Sequence, residues 1–173
     1  MSFINSDTLI IRSWKFDSFK EKIDTMFEFY DKFNELSNEI IFLKIIQKFE
    51  GNELMIPFYY YDIYEKKSNK KVGKISIRIG DNYHSYFNGH IGYEIDKEFR
   101  GNYYSLYASK LVLQVAKEYG MRRVYLTCNE ANIASRKIIE ALGCKLIQII
   151  DVPKDYFGWH EGIEKQCIYE LIL

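Results

Sequence analysis

Residues 100–105, RGNYYS, join a strand-like run, IGYEI, to a helix-like one, YSLYASKLVLQVAKEY. A strand that turns directly into a helix leaves backbone N–H groups without acceptors at the positive end of the helix dipole. Such a cluster attracts anions, phosphates above all. The donors here are the amides from Gly101 to Ser105; no proline removes any of them, and Arg100 adds a charge-assisted contact. By itself the turn is a weak signal, because a Gly-Asn pair whose asparagine caps a helix opens many helices that bind nothing.

Carboxylates stand just before this turn. Glu94 falls on the strand, whereas Asp96 and Glu98 follow it. Strand alternation puts Glu94 on one face with Gly92 and Asp96, and Tyr93 and Ile95 on the other. A carboxylate so placed serves as a general base when its pKa is tuned to the task; on a solvated face it is a surface charge. His84 and His160 are further candidate bases, both in loops. Tyr93, Tyr103, Tyr104 and Tyr125 read as core or groove walls in a chain with 15 tyrosines. Asn132 and Ser135, three residues apart, share a helix face. Asn132 also reads as that helix's N-cap, a role for which Asn129 competes. The three histidines, His84, His90 and His160, show no i,i+4 pairing and no Cys-x-x-Cys occurs, so no metal site is expected.

A chain of 173 residues, 47% hydrophobic and 28% charged, fits one globular domain over residues 1–173. Lys and Arg total 24, as do Asp and Glu, which removes the electrostatic footprint of nucleic-acid binding. The densest basic run, YEKKSNKKVGK at 64–74, reads as an exposed hairpin tip. Cys128, Cys144 and Cys167 are odd in number and widely spaced, and the start at Met1 lacks a secretory pattern, so a reducing cytoplasm is the expected location. No apolar run reaches the 18 or so residues of a membrane span, so a soluble protein is expected.

The elements that must position these residues follow from periodicity. A strand is expected at about 8–12. An amphipathic helix is expected from Asp17, with Phe19, Ile23, Met26, Phe27 and Tyr30 on one face, and a second through NEIIFLKIIQKFE, with Ile41, Ile45 and Phe49 aligned. The middle predicts a hairpin, MIPFYYYDIYEKK with KKVGKISIRIGD, then a loop containing NYHSYFNG and the strand HIGYEI. After the turn come a helix over 103–119, a strand at RRVYLTC, a helix over 132–142 and the strands CKLIQIID and KQCIYELIL, with an aromatic loop between the last two. The fold class is α/β or α+β, with helices on both faces of one mixed sheet.

Read together, IGYEID, the Arg-Gly turn and its helix, GMRRVYLTC, Asn-x-x-Ser-Arg and ALGCKL resemble the core of the GNAT acetyltransferase superfamily over residues 88–150. The resemblance implies a mostly antiparallel sheet of six to seven strands that binds acetyl-CoA, releases coenzyme A, needs no metal, and acetylates a primary amine by direct attack in a ternary complex. It assigns the pyrophosphate to Arg100, Gly101, Asn102, Tyr103, Tyr104 and Ser105. Tyr103 departs from the family's glycine and is expected to keep a negative φ with its ring turned aside, as in bacterial members with a less glycine-rich turn. It also implies that the strand end at Ile95 offers backbone groups to the pantetheine arm, with Asn132 bonding that arm, and that Glu94 and Ser135 are catalytic. The tyrosine acid of many members falls on Ile139, and Ser135 resembles the serine of the branch that acetylates ribosomal-protein N-termini. Aromatic residues Tyr156, Phe157 and Trp159 would wall the acceptor site, and Asp31, Glu35, Asp155 or Glu161 would attract its ammonium group. The acceptor is a small molecule or a protein N-terminus; nucleic acid and membrane are not expected partners, and the chain acts as a monomer or homodimer. Two other readings stand beside this one: a degenerate GNAT domain that binds CoA or a partner without turnover, and an interaction module using the aromatic loop.

Overall fold

The structure, a computed structural model, describes residues 27–173. Its strands are β1 (Glu35–Ser37), β2 (Ile41–Phe49), β3 (Phe58–Glu65), β4 (Lys71–Arg78), β5 (Ile91–Ile95), β6 (Arg123–Asn129), β7 (Lys145–Ile150) and β8 (Gln166–Ile172). The helices are α1 (Tyr83–Asn88), α2 (Tyr104–Glu118) and α3 (Ile133–Ala141), with short 3-10 turns at Asp31–Phe33 and Lys97–Phe99. All pairings are antiparallel, in a five-stranded sheet ordered β1-β2-β3-β4-β5 and a three-stranded sheet ordered β6-β8-β7. The α/β class holds, with two antiparallel sheets among the described residues in place of one mixed sheet.

The run at 38–50 is a strand, not the expected helix. Asn38 Oδ1 accepts the Ile40 and Ile41 amides at 2.8 and 2.9 Å, which turns the chain back on β1. Ile41 and Leu43 are then fully buried on one face. A bulge between Ile45 and Gln47 exposes Ile46 and interrupts the two-residue alternation, leaving a three- and four-residue spacing that imitates a helix. Residues 27–30 are not helical either. Tyr30 stacks on Tyr119 at 4.9 Å, and its amide donates to the Tyr59 hydroxyl, which bonds Tyr119 Oη at 2.6 Å. The expected strand at 8–12 and the rest of the first expected helix lie outside the described residues.

The core lies between the five-stranded sheet and α2. Leu43, Tyr59, Tyr61, Ile63, Ile75 and Ile77 face Ala108, Val112, Val115 and Ala116, all essentially inaccessible. Each large side chain so buried contributes about 1.5–3 kcal/mol. The opposite face of the same strands carries Lys44, Gln47, Tyr60, Asp62, Lys74, Ser76, Arg78, Gly92 and Glu94, as the strict alternation within β4 and β5 requires. The NYHS segment, read as loop, is the capped first turn of α1. Asn82 Oδ1 accepts the Ser85 amide at 2.7 Å and the Asn82 amide donates to Ser85 Oγ at 3.0 Å.

Among the described residues, backbone hydrogen bonding joins the two sheets at His90. The His90 amide donates to the Tyr125 carbonyl at 2.7 Å, and where a second ladder bond would form, the His90 ring takes over: Nδ1 accepts the Tyr125 amide at 2.9 Å. Nε2 therefore carries the proton and donates it to the Gly80 carbonyl at 2.9 Å, with Asp81 Oδ1 at 3.4 Å. The ring is fully buried. Gly89 makes this approach possible, since a Cβ there would stand 3.2 Å from both the Thr127 amide nitrogen and the Tyr125 carbonyl oxygen. Beyond His90, β5 and β6 belong to different sheets.

Candidate active site

The turn expected to cradle phosphate is present, in an altered conformation. Tyr103 is left-handed, at φ 58° and ψ 19°, rather than at the expected negative φ, so its backbone takes the form a glycine reaches without steric cost. Its ring is turned out, 59% exposed. Asn102 does not cap α2. Its side-chain amide donates back to the Phe99 carbonyl at 3.0 Å, and the N-cap position is Tyr103, which offers no side-chain acceptor. Within the described residues, the amides from Gly101 to Leu106 make no hydrogen bond; the Tyr107 amide is the first to find one, at the Tyr103 carbonyl.

Tyr104 and Ser105 are both buried, so they face a ligand only through their amides. The Tyr104 hydroxyl donates a short hydrogen bond to Glu65 at the end of β3, and this bond pushes the phenol pKa up to about 12. The same helix start is thereby tied to the hairpin beside it. Arg100 Nε donates to the Ile95 carbonyl at 3.1 Å, which places its guanidinium at the end of β5 and uses one of the backbone groups expected to meet a pantetheine arm.

The exposed edge of β5 follows from its ladder. The Asp96 amide donates to the Val72 carbonyl and the His90 carbonyl accepts from the Arg78 amide, so even-numbered residues address β4. Tyr93 and Ile95 turn their backbone groups the other way, to the edge that β6 leaves unpaired. Across this opening α3 begins at Asn132, whose Oδ1 accepts the Ser135 amide at 3.0 Å. The capping role of Asn132 is thus realised, and its side-chain NH2 remains a donor. The Tyr93 hydroxyl is buried beside Ser135 without closing a well-formed hydrogen bond. Burial raises the Tyr93 pKa and the neighbouring Ser135 hydroxyl lowers it. Ile139, at the position of the family's tyrosine acid, is 2% exposed and apolar. Tyr93 therefore brings a phenol close to Ser135 from the opposing strand, a juxtaposition that residue spacing did not reveal.

The thiols near this point are inert. Cys128 and Cys144 are free and buried, and burial pushes their pKa values up to about 11 and about 12.

On the outer face of the five-stranded sheet lies a cavity of about 400 Å³, walled among others by Gln47, Tyr60, Lys74, Ser76, Arg78 and Glu94. Glu94 is thus one wall of a cavity as well as an exposed carboxylate. Lys74 stands opposite it in the ladder, but no ion pair joins them; the Lys74 ammonium lies 5.7 Å from the centre of the Tyr60 ring instead. His84 faces a separate, smaller crevice that shares Arg78 and includes Phe157. Its Nδ1 accepts the Phe157 amide at 3.4 Å, and burial lowers its pKa against the pull of Asp155. His160 is exposed and bonds only its own loop. Asp31 pairs with Lys48 at 2.8 Å and Asp155 accepts from Tyr83 at 2.7 Å; neither these two nor Glu35 and Glu161 line the cavity. Tyr156 is buried with Phe87 and Val152, and Trp159 packs against that cluster.

No group of three or more metal-ligating side chains comes together among the described residues, and no described helix is long and apolar enough to cross a membrane. A helix start with open amides is set beside a strand edge its neighbour has left. Residues 13–145 match the family model described as Acetyltransferase (GNAT) domain, well over half of the chain, and the chain belongs to that family. The fold is shared with a candidate ribosomal-protein-serine acetyltransferase from Vibrio cholerae, with a TM-score of 0.59 and 14% identity over 80% of this chain and 97% of that one. It is also similar to the ribosomal-protein-S5-alanine acetyltransferase of Vibrio fischeri, with a TM-score of 0.53 and 22% identity over 66% of this chain and 61% of that one. The Microcin C7 self-immunity acetyltransferase MccE, solved with acetyl-CoA and AMP, has a TM-score of 0.52 and 22% identity over 67% of this chain and 61% of that one. No curated protein matches the sequence.

Proposed function

We propose that the chain is an acetyl-CoA-dependent N-acetyltransferase acting on a primary amine in a ternary complex. The observation that carries this reading is the run of amides from Gly101 to Leu106 without acceptors, at an uncapped helix start next to the open edge of β5. These groups fit acetyl-CoA: the amides and Arg100 would hold the pyrophosphate, and the Tyr93 and Ile95 edge with the Asn132 NH2 would hold the pantetheine arm. When bound, acetyl-CoA supplies an acetyl group activated as a thioester.

The chain's own residues divide the proton work. Glu94, open to solvent in the wall of the cavity, takes the proton that an incoming ammonium must lose before it attacks. Ser135 Oγ, in the first turn of α3, would supply the proton that a departing sulfur needs, with the buried Tyr93 hydroxyl beside it. Positioning contributes through Asn132, which fixes the first turn of α3 and hence Ser135.

Two of the similar folds carry names that assign them ribosomal-protein acceptors, so a protein N-terminus is one acceptor class and a free small amine the other. A second reading, binding without turnover, is favoured by one observation: Ile139 is buried and apolar where many members carry the acid. The test is release of CoA thiol from acetyl-CoA across a panel of amines and N-terminal peptides. Amine-dependent release supports the transferase; tight acetyl-CoA binding with no release on any acceptor supports the second reading.

A further inference from the structure

The outer-face cavity has a cationic end that the transfer chemistry does not use. Arg78, the last residue of β4, is largely buried, and its Nη1 has one weak contact, to the Gly89 carbonyl at 3.4 Å. No carboxylate among the described residues pairs with it; burial opposes its charge, and the titratable side chains near it are the neutral phenols of Tyr156 and Tyr60. A guanidinium taken from water without a counter-ion is costly, and arginine cannot escape by losing its proton.

The place of this charge is fixed by Gly92. A Cβ at that residue would stand 3.5 Å from Nη1, 3.7 Å from Nη2 and 3.4 Å from Ser76 Oγ, so the guanidinium lies over a stretch of strand that has no side chain. Glu94 is two residues further along the same face, about 7 Å at a strand rise of about 3.4 Å per residue. Lys74, opposite Glu94 in the ladder, forms no ion pair with it, and its ammonium lies 5.7 Å from the centre of the Tyr60 ring. The floor therefore reads as a cation, a clear gap and an anion.

Resting on the transferase reading, we infer that the acceptor is a zwitterion, a free α-amino acid or a close analogue, with its ammonium on Glu94 and its carboxylate on Arg78. A planar guanidinium matches a carboxylate through two parallel hydrogen bonds, which a peptide carbonyl cannot reproduce. A cavity of about 400 Å³ accommodates a molecule of this size. A polypeptide N-terminus lacks the carboxylate beside its amine and would leave Arg78 unpaired.

The test compares each proteinogenic amino acid with its own amide, which keeps the side chain, loses the carboxylate and has the more weakly basic amine. Two readouts are used: acetyl-CoA-dependent thiol release, and direct binding to the protein by saturation-transfer NMR. At least one acid should exceed its amide tenfold or more in kcat/KM and in binding. Arg78→Met should erase that preference while leaving the acetyl-CoA dissociation constant unchanged, and Arg78→Lys, which keeps the charge and loses the fork, should retain part of it. Amides equal to or better than acids in both readouts, or N-terminal peptides preferred to every acid, overturn the inference. Failure of acetyl-CoA to bind refutes the transferase reading separately, and the NMR comparison still decides whether Arg78 selects a carboxylate.

Discussion

His90 is where the two sheets join and part, so its removal is the sharpest test of how the opening is built. His90→Ala deletes two hydrogen bonds at once, the one from the Tyr125 amide to Nδ1 and the one from Nε2 to the Gly80 carbonyl, both 2.9 Å. The ring is fully buried, so its loss leaves the Tyr125 amide and the Gly80 carbonyl without the imidazole partner each has there. Each group left unsatisfied costs about 1–3 kcal/mol. The ring also lies 5.7 Å from the Tyr125 ring at 28°, and that packing is lost with it. The expected loss is about 3–5 kcal/mol, a large share of the roughly 5–15 kcal/mol typical of a folded domain. Urea denaturation followed by circular dichroism measures it, with the midpoint falling and the m-value unchanged. His90→Phe should lose as much, since it fills the space without the two nitrogens. A loss below about 1 kcal/mol in both variants would refute the claim that the imidazole carries the junction.

Tyr103→Gly should leave acetyl-CoA affinity within about threefold, because glycine adopts the left-handed backbone freely; Tyr103→Pro should abolish binding, because proline fixes φ near −65° and deletes an amide. In a spectroscopic pH titration Tyr104 should ionise near pH 12, and Glu65→Gln should bring it back toward 10. Its folded pKa lies above the ordinary 10.0, so the contribution of this contact to stability is full below pH 10 and disappears as pH rises to about 12. Glu65 shifts the other way, held low first by Ser68 and then by Tyr104; its contribution is present above its ordinary 4.5 and is lost as pH falls through the folded value. Tyr93→Phe and Ser135→Ala should each lower kcat about 10- to 100-fold with acetyl-CoA affinity retained, and the double variant should lose less than the product of the two, as expected for groups acting as a unit.

The second half of the chain was legible because its signals are local. The helix over 103–119 and that over 132–142 end at Gly120 and Gly143, both of which adopt positive φ, and the observed helices fall within a residue or so of those limits. The residues at 38–50 misled because a bulge breaks a two-residue period, and whether a bulge forms depends on the partner strand rather than on the run itself. The Asn82–Ser85 box was present in the sequence and was obscured by an aromatic stretch that reads as loop. At the site, the position of the turn was readable, but the left-handed state of Tyr103 was not, since nothing in the spelling distinguishes a strained tyrosine from an ordinary one. Tyr93 and Ser135 meet only because two strands diverge at His90, and Arg78 matters only because Gly92 clears the floor beside it. Both are consequences of long-range pairing, which residue spacing cannot express.

The most direct measurement is calorimetric titration of acetyl-CoA into the protein and into Gly101→Pro, whose target residue sits at φ 87°. The cradle predicts saturable binding by the first and its loss in the second, with the circular dichroism spectrum of the variant unchanged. No heat of binding from the unaltered protein at millimolar acetyl-CoA, or equal binding by both proteins, would contradict it.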